Sequence, residues 1–117
     1  SIIKDIKGNL WFATENGVSK YNGTRFINYT KRNGLPGDQI RSLLEDSKGN
    51  IWLGTYGNGL VKYDGTSFKS YSLVDGLNHE YIHSMYEDSQ GMLWFGTGAG
   101  VNRFDGKSFI SYGVEYW

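Results

Sequence analysis

Asp46-x-x-Gly49-Asn50-Ile51-Trp52-Leu53-Gly54-Thr55, followed by Gly59 and Tyr63-Asp64-Gly65, is a phrase that the chain carries three times. The first copy reads Asp5-x-x-Gly8-Asn9-Leu10-Trp11-Phe12-Ala13-Thr14, then Gly17 and Tyr21-Asn22-Gly23. The third reads Asp88-x-x-Gly91-Met92-Leu93-Trp94-Phe95-Gly96-Thr97, then Gly100 and Phe104-Asp105-Gly106. Each copy closes on an aromatic pair: Phe26/Tyr29, Phe68/Tyr71 and Phe109/Tyr112. Trp11, Trp52 and Trp94 lie 41 and 42 residues apart. A fixed period of this size decides the fold before any single element does, and four short strands per unit is the blade of a β-propeller.

Within each copy the first strand ends at the Asp, running from about Gln39 to Asp46 in the second copy. The second strand carries the Trp, the third runs from the Gly to the Tyr or Phe, and the fourth holds the aromatic pair. Asn22-Gly23, Asp64-Gly65 and Asp105-Gly106 supply the positive φ of tight turns, so consecutive strands should pair antiparallel as a meander. Because a strand sends successive side chains to opposite faces, Leu10 and Phe12 share one face while Trp11 and Ala13 share the other. Both faces are apolar, and a sheet of that kind must be covered on both sides, as a blade is between its neighbours. The small residue two places after each Trp (Ala13, Gly54, Gly96) is expected to make room beside the indole. Asp38 to Asp46 has a helical apolar spacing behind an Asp N-cap, but a repeat takes one structure each time, and the matching stretch up to Asp88 favours a strand.

The fold expected is therefore all-β: three four-stranded antiparallel meander repeats of about 42 residues. The blades span about 1–29, 39–71 and 81–112, joined by loops 30–38 and 72–80, with a tail 113–117 outside the repeat. The 117 residues carry twelve acidic and twelve basic side chains, no cysteine, one proline and seventeen glycines. A balanced charge without a basic run leaves no electrostatic footprint for nucleic acid. The lack of cysteine rules out disulfides and thiolate metal sites. Since no apolar run approaches the roughly 20 residues of a membrane span, no membrane contact is expected of this segment.

The phrase Gly-Asn-Leu-Trp-Phe-Ala-Thr-x-x-Gly-Val-x-Lys-Tyr-Asn-Gly, followed by Phe26-x-x-Tyr29 and Gly34-Leu35-Pro36, resembles the two-component regulator propeller repeat, in three registers covering nearly the whole chain. The resemblance implies the extracytoplasmic sensor part of a bacterial hybrid two-component system, periplasmic or at the cell surface. In such proteins many blades precede an immunoglobulin-like domain, a membrane helix and a histidine kinase. The virginiamycin B lyase propellers have a similar blade phrase, but their catalytic His and Glu pattern is not recognisable in this sequence.

Three blades leave two apolar end faces, more than a soluble monomer usually exposes. Either further blades of a parent chain complete the ring, or copies join head to tail, a homodimer of six blades being favoured over a trimer of nine. Ser1 aligns with Ser42 and Ser84, so the first strand begins part-way along, as in a piece cut from a longer chain.

His79-Glu80-Tyr81-Ile82-His83 is a literal H-E-x-x-H, whose zinc chemistry needs both histidines on one helical face. The repeat register places it in a loop and strand instead. No nucleophile elbow accompanies any Ser-His-Asp set, so no catalytic residue, metal or cofactor is assigned. The recurring Asp5, Asp46 and Asp88 are read as carboxylates bonding backbone N–H groups in a turn rather than as calcium ligands. The sequons at Asn22 and Asn28 fall in the repeated turn and strand and are read as accidental.

In a meander propeller the loops entering each blade and those between its second and third strands share one face of the disc, and it is there that the copies diverge. Candidate binding residues on this face are Glu15, Asn16, Arg32, Arg41, Tyr56 and Asn58, with His79, Glu80, Tyr81 and His83. Such a mixture suits a carbohydrate or another small polar ligand, by stacking and hydrogen bonds. The expected function is non-enzymatic sensing or binding; the alternatives are a self-assembling structural ring and, third, a lyase or hydrolase.

Overall fold

A computed structural model describes residues 1–113 of the chain, so the expected tail falls outside the described residues apart from Gly113. Strands β1 (Ile2–Lys4), β2 (Leu10–Thr14), β3 (Gly17–Tyr21) and β4 (Phe26–Tyr29) form one sheet. Strands β5 (Ile40–Glu45), β6 (Ile51–Thr55), β7 (Leu60–Tyr63) and β8 (Phe68–Tyr71) form the second. The third holds β9 (Ile82–Glu87), β10 (Leu93–Thr97), β11 (Gly100–Phe104) and β12 (Phe109–Tyr112). Every pairing is antiparallel between consecutive strands, the meander expected from the sequence. The Asp38 to Asp46 stretch is strand, since Leu43 and Leu44 face opposite seams and both find apolar partners there.

The sheets stack face to face with their first strands adjacent, so β1, β5 and β9 line the inside of an arc and β4, β8 and β12 its rim. Each seam is asymmetric: the indole face of one blade meets the Leu/Phe face of the next. In the first, Trp11 and Val18 pack on Ile51, Leu53 and Val61. In the second, Trp52, Leu60 and Tyr71 pack on Ile82, Phe95 and Phe104. The Trp52 ring lies 5.7 Å from Phe95 and 5.8 Å from Phe104, within the range where tilted aromatic pairs attract. Trp11 and Trp52 are each 2% exposed, whereas Trp94, on the outer face of the third described sheet, is only half-buried.

Gly54 departs from its expected role. A Cβ there would meet the Ser42 hydroxyl of its own blade and come within 2.9 Å of Ile82 Cγ2 and of the Ile82 carbonyl oxygen, so the missing side chain makes room for Ser42 and for the first strand of the next blade rather than for the indole. The Asx-Gly turns also differ from two-residue hairpins. Gly23, Gly65 and Gly106 have φ of 103°, 103° and 102°, but each belongs to a four-residue loop held by the preceding Asn or Asp, whose side-chain oxygen accepts backbone N–H groups two and three residues on.

The joining segments are not plain loops. Lys31–Asn33 and Leu73–Asp75 are short 3-10 turns, closed where the Asn33 and Asp75 side chains accept from the backbone N–H of Thr30 and Ser72. Leu35 and Leu77, just beyond them, plug the two seams.

Candidate functional site

Four backbone hydrogen bonds bring the loops together as the meander geometry requires. Gly17 N–H donates to the Asp38 carbonyl (2.6 Å), Tyr56 to Gln39 (2.9 Å), Gly59 to Glu80 (2.8 Å) and Gly98 to Tyr81 (3.1 Å). The loop after each indole strand therefore abuts the segment entering a blade, and both lie at the same end of the arc.

At that end two equivalent bulges set the site. Ile40 pairs with Thr55 and Ser42 with Gly54, which leaves Arg41 unpaired; Ile82 pairs with Thr97 and Ser84 with Gly96, which leaves His83 unpaired. A bulge re-aims its extra side chain, and both residues are exposed on neighbouring innermost strands. The Arg41 guanidinium lies 5.0 Å from the Tyr56 ring. Tyr56 meets Tyr81 edge to face at 4.6 Å, and Tyr81 meets His83 at 5.5 Å. Arg41, Tyr56, Tyr81 and His83 thus form one continuous row across the second seam. His79 braces it, its Nδ1 accepting the Tyr81 N–H at 3.0 Å while its ring rests on Gly98.

Tyr56 is half exposed, an uncommon position for so large a ring. It stands out because three residues separate Thr55 from Gly59, whereas two separate Thr14 from Gly17 and Thr97 from Gly100. The extra residue lets Tyr56 form an isolated antiparallel bridge with Tyr81. The sequence signalled this insertion through the longer second interval between tryptophans.

The other candidates are placed differently. Glu80 contributes its carbonyl to both Gly57 and Gly59, and the Asn58 side chain packs on Gly37. Glu15 and Asn16 stand in the first blade's loop and Arg32 on the 3-10 turn Lys31–Asn33, outside the aromatic row.

Residues 79–83 run from a loop into a strand, so the two imidazoles are not one helical turn apart. Among the described residues no group of three or more His, Asp or Glu side chains is gathered as for a metal ion. The Ser84 hydroxyl lies 3.1 Å from His83 Nδ1, a contact between chain neighbours that orients the ring. The row offers a cation, two stacking faces and hydrogen-bonding imidazoles, which is equipment for holding a ligand.

The recurring acids are structural, as expected, and do more than the turn alone required. Asp46 Oδ1 accepts the N–H of Lys48 and of Asn50, both at 2.9 Å, and Oδ2 accepts the Trp52 indole N–H at 2.8 Å. Asp5 and Asp88 repeat the pattern with Trp11 and Trp94. Burial pulls Asp46 upward, but the Trp52 indole, the Asn50 backbone and amide and the Lys48 N–H outweigh it and hold the pKa below the ordinary 3.8. For Asp88 the Trp94 indole is the chief cause of a similar lowering. Asp64, accepting from the Ser67 and Thr66 backbone, is held down to about 2.

The lowered carboxylates mean that the folded chain binds fewer protons than the unfolded one near pH 3. Their contribution is then complete above the ordinary carboxylate value and disappears as pH falls through the folded values. The melting temperature should be level from pH 7 to about 5 and drop between about 4 and 2. Asp46→Asn should make that acid slope shallower, because an amide takes up no proton on unfolding, and with one acceptor oxygen where Asp46 uses two it should also melt lower at neutral pH. Circular-dichroism melts of both proteins check this; a melting temperature indifferent to acid down to about pH 2 would refute it.

Stacked four-stranded meanders with their first strands innermost define an arc of a β-propeller. The model of the two component regulator propeller family matches residues 34–57 and 76–99, each window running from the glycine after a 3-10 turn to the loop after an indole strand. The chain is similar to the extracellular domain of a protein named as a hybrid two component system from B. thetaiotaomicron, at 26% identity and a TM-score of 0.85, covering 96% of this chain and 16% of that one. It shares its fold with virginiamycin B lyase from Staphylococcus aureus, at 21% identity and a TM-score of 0.76, covering 97% and 40% of the two chains. The fold is also that of the extracellular domain of a protein named as a one component system from B. thetaiotaomicron, at 20% identity and a TM-score of 0.62, covering 97% and 24%. The chain thus spans less than half the length of any of these three. Comparison with curated protein sequences gave no match.

Proposed function

We propose that this chain is a non-enzymatic ligand-binding arc of a sensor propeller, working outside the cytoplasm, and that a small polar ligand such as a carbohydrate settles on the row Arg41, Tyr56, Tyr81 and His83. The exposed Tyr56 ring carries the reading: it is raised on an inserted residue, flanked by a guanidinium, and set at a seam where two blades contribute side chains. Sugar rings stack on such faces while Arg41 and the histidines supply hydrogen bonds. Likeness to the extracellular domain of a protein named as a hybrid two component system supports the extracytoplasmic placement. The lyase shares the fold at 21% identity and lends no catalytic residue.

The test is calorimetric titration of the chain with neutral and uronic-acid-containing oligosaccharides. Tyr56→Ala should weaken binding about tenfold, the value of one lost stacking face. Arg41→Gln should discriminate further, reducing binding of the acidic sugars more than of the neutral ones. Binding that survives both substitutions unchanged removes the row from the reading.

A further inference from the structure

Both internal seams share one charge layout at the end of the arc opposite the aromatic row. The preceding blade holds a cation over its indole: Lys20 lies 5.5 Å from the Trp11 ring and Lys62 lies 5.9 Å from Trp52. The following blade answers with two acids. Glu45 and Asp64 line the first seam's cavity, of about 500 Å³, together with Lys20. Glu87 and Asp105 line the second with Lys62, and Lys48 stands at the rim of both.

The glutamates also latch the seams. Glu45 accepts the Ile6 N–H at 2.9 and 3.2 Å, and Glu87 accepts the Ser47 hydroxyl at 2.8 Å, each reaching the residue that follows the recurring Asp of the blade before.

The outer faces can be read against this pattern. The third blade presents the preceding-blade half intact: Arg103 lies 5.7 Å over Trp94, and Ser89 follows Asp88. Among the described residues no further strand packs on this face, where Tyr86 is 67% and Ile110 41% exposed beside the half-buried Trp94. The first blade has a usable apolar half in Phe12, Ile2 and Phe26, the last two 65% and 63% exposed, but its charges are wrong. Lys4 pairs with Leu10 in the register where Glu45 pairs with Ile51 and Glu87 with Leu93, and Asn22 stands where the other blades have Asp64 and Asp105.

We propose that the outer face of the third blade receives a blade whose innermost strand ends in a carboxylate, and that Lys4 and Asn22 exclude a second copy of this chain from that place. Docking the first blade there brings Lys4 to the side of Arg103, where in both internal seams an acid of the following blade and a cation of the preceding one line one cavity. Like charges so juxtaposed suppress a wrong partner even where the apolar surfaces match. The homodimer and homotrimer rings considered from the sequence are the assemblies that this charge pattern opposes.

Sedimentation velocity on the whole chain tests it, with circular dichroism confirming that each variant folds. Lys4→Glu turns the first blade into one of the required kind and should tighten head-to-tail association about tenfold or more, an effect that weakens with salt. Arg103→Glu should do the same from the other side by facing Lys4, and combining the two substitutions should abolish the gain. Adding Asn22→Asp to Lys4→Glu should tighten association further. A wild-type chain that already forms closed particles of two or three copies overturns the proposal, and so does a set of variants whose association does not differ.

Discussion

Replacing Trp52 with alanine should remove a large share of the chain's stability, whereas Trp94→Ala should remove much less. Trp52 is 2% exposed, stacks on Tyr71 at 5.7 Å, contacts Phe95 and Phe104 across the seam and donates its indole N–H to Asp46. Truncating a buried tryptophan to alanine costs about 3–5 kcal/mol. A domain of this size has a stability of only about 5–15 kcal/mol, so that loss is a large share of the whole. Trp94 makes the same bond to Asp88 and stacks on Tyr112 at 6.1 Å, but among the described residues no second sheet packs on it, so it has much less to lose. Trp52→Phe separates the two contributions, since it keeps most of the seam contact and removes the indole donor, at a cost of about 1–2 kcal/mol. Denaturant titrations followed by tryptophan fluorescence and circular dichroism provide the measurement. A Trp52→Ala protein as stable as Trp94→Ala would mean that the indoles do not hold the seams together.

Gly54→Val should open the second seam while leaving the first standing. The backbone at Gly54 is ordinary strand, so the damage comes from the neighbour and not from φ: the new side chain meets Ile82, including its carbonyl oxygen, where only backbone movement relieves the contact. Forcing such atoms into a packed layer costs about 1–3 kcal/mol or more. The first atom of any side chain already makes these contacts, so Gly54→Ala should also weaken the seam and the branched Val should weaken it further. Hydrogen exchange resolves the location, with amides of β9 to β12 losing protection before those of β2 and β3. Uniform loss of protection over all three blades would argue against seams that open independently.

Much of the architecture was legible because it is local. The Asp, the Gly three residues on and the Trp three residues beyond it form one hydrogen-bonded turn, and the positive-φ glycines mark the turns between strands wherever they recur. The two-sided apolar alternation around Trp52 foretold a sheet covered on both faces, and the helical spacing of Asp38 to Asp46 gave way because Leu43 and Leu44 each need a seam. Of the candidate site residues, Tyr56, Tyr81, Arg41 and His83 come together, while Glu15, Asn16 and Arg32 stay apart. Loop divergence identified the face, but it carries no information about which loops touch.

Period, meander order and the Asp-to-indole turn were determined by the sequence alone, since each depends on residues a few positions apart whose partners are set by strand alternation and turn chemistry. Only the tertiary structure decided that the indole face of one blade meets the Leu/Phe face of the next, that Gly54 yields to Ile82, and that Glu45 and Glu87 latch to the turn of the blade before. Those contacts join residues some 30 to 40 positions apart across a seam, where the relative placement of two sheets, rather than any local pattern, sets which side chains meet.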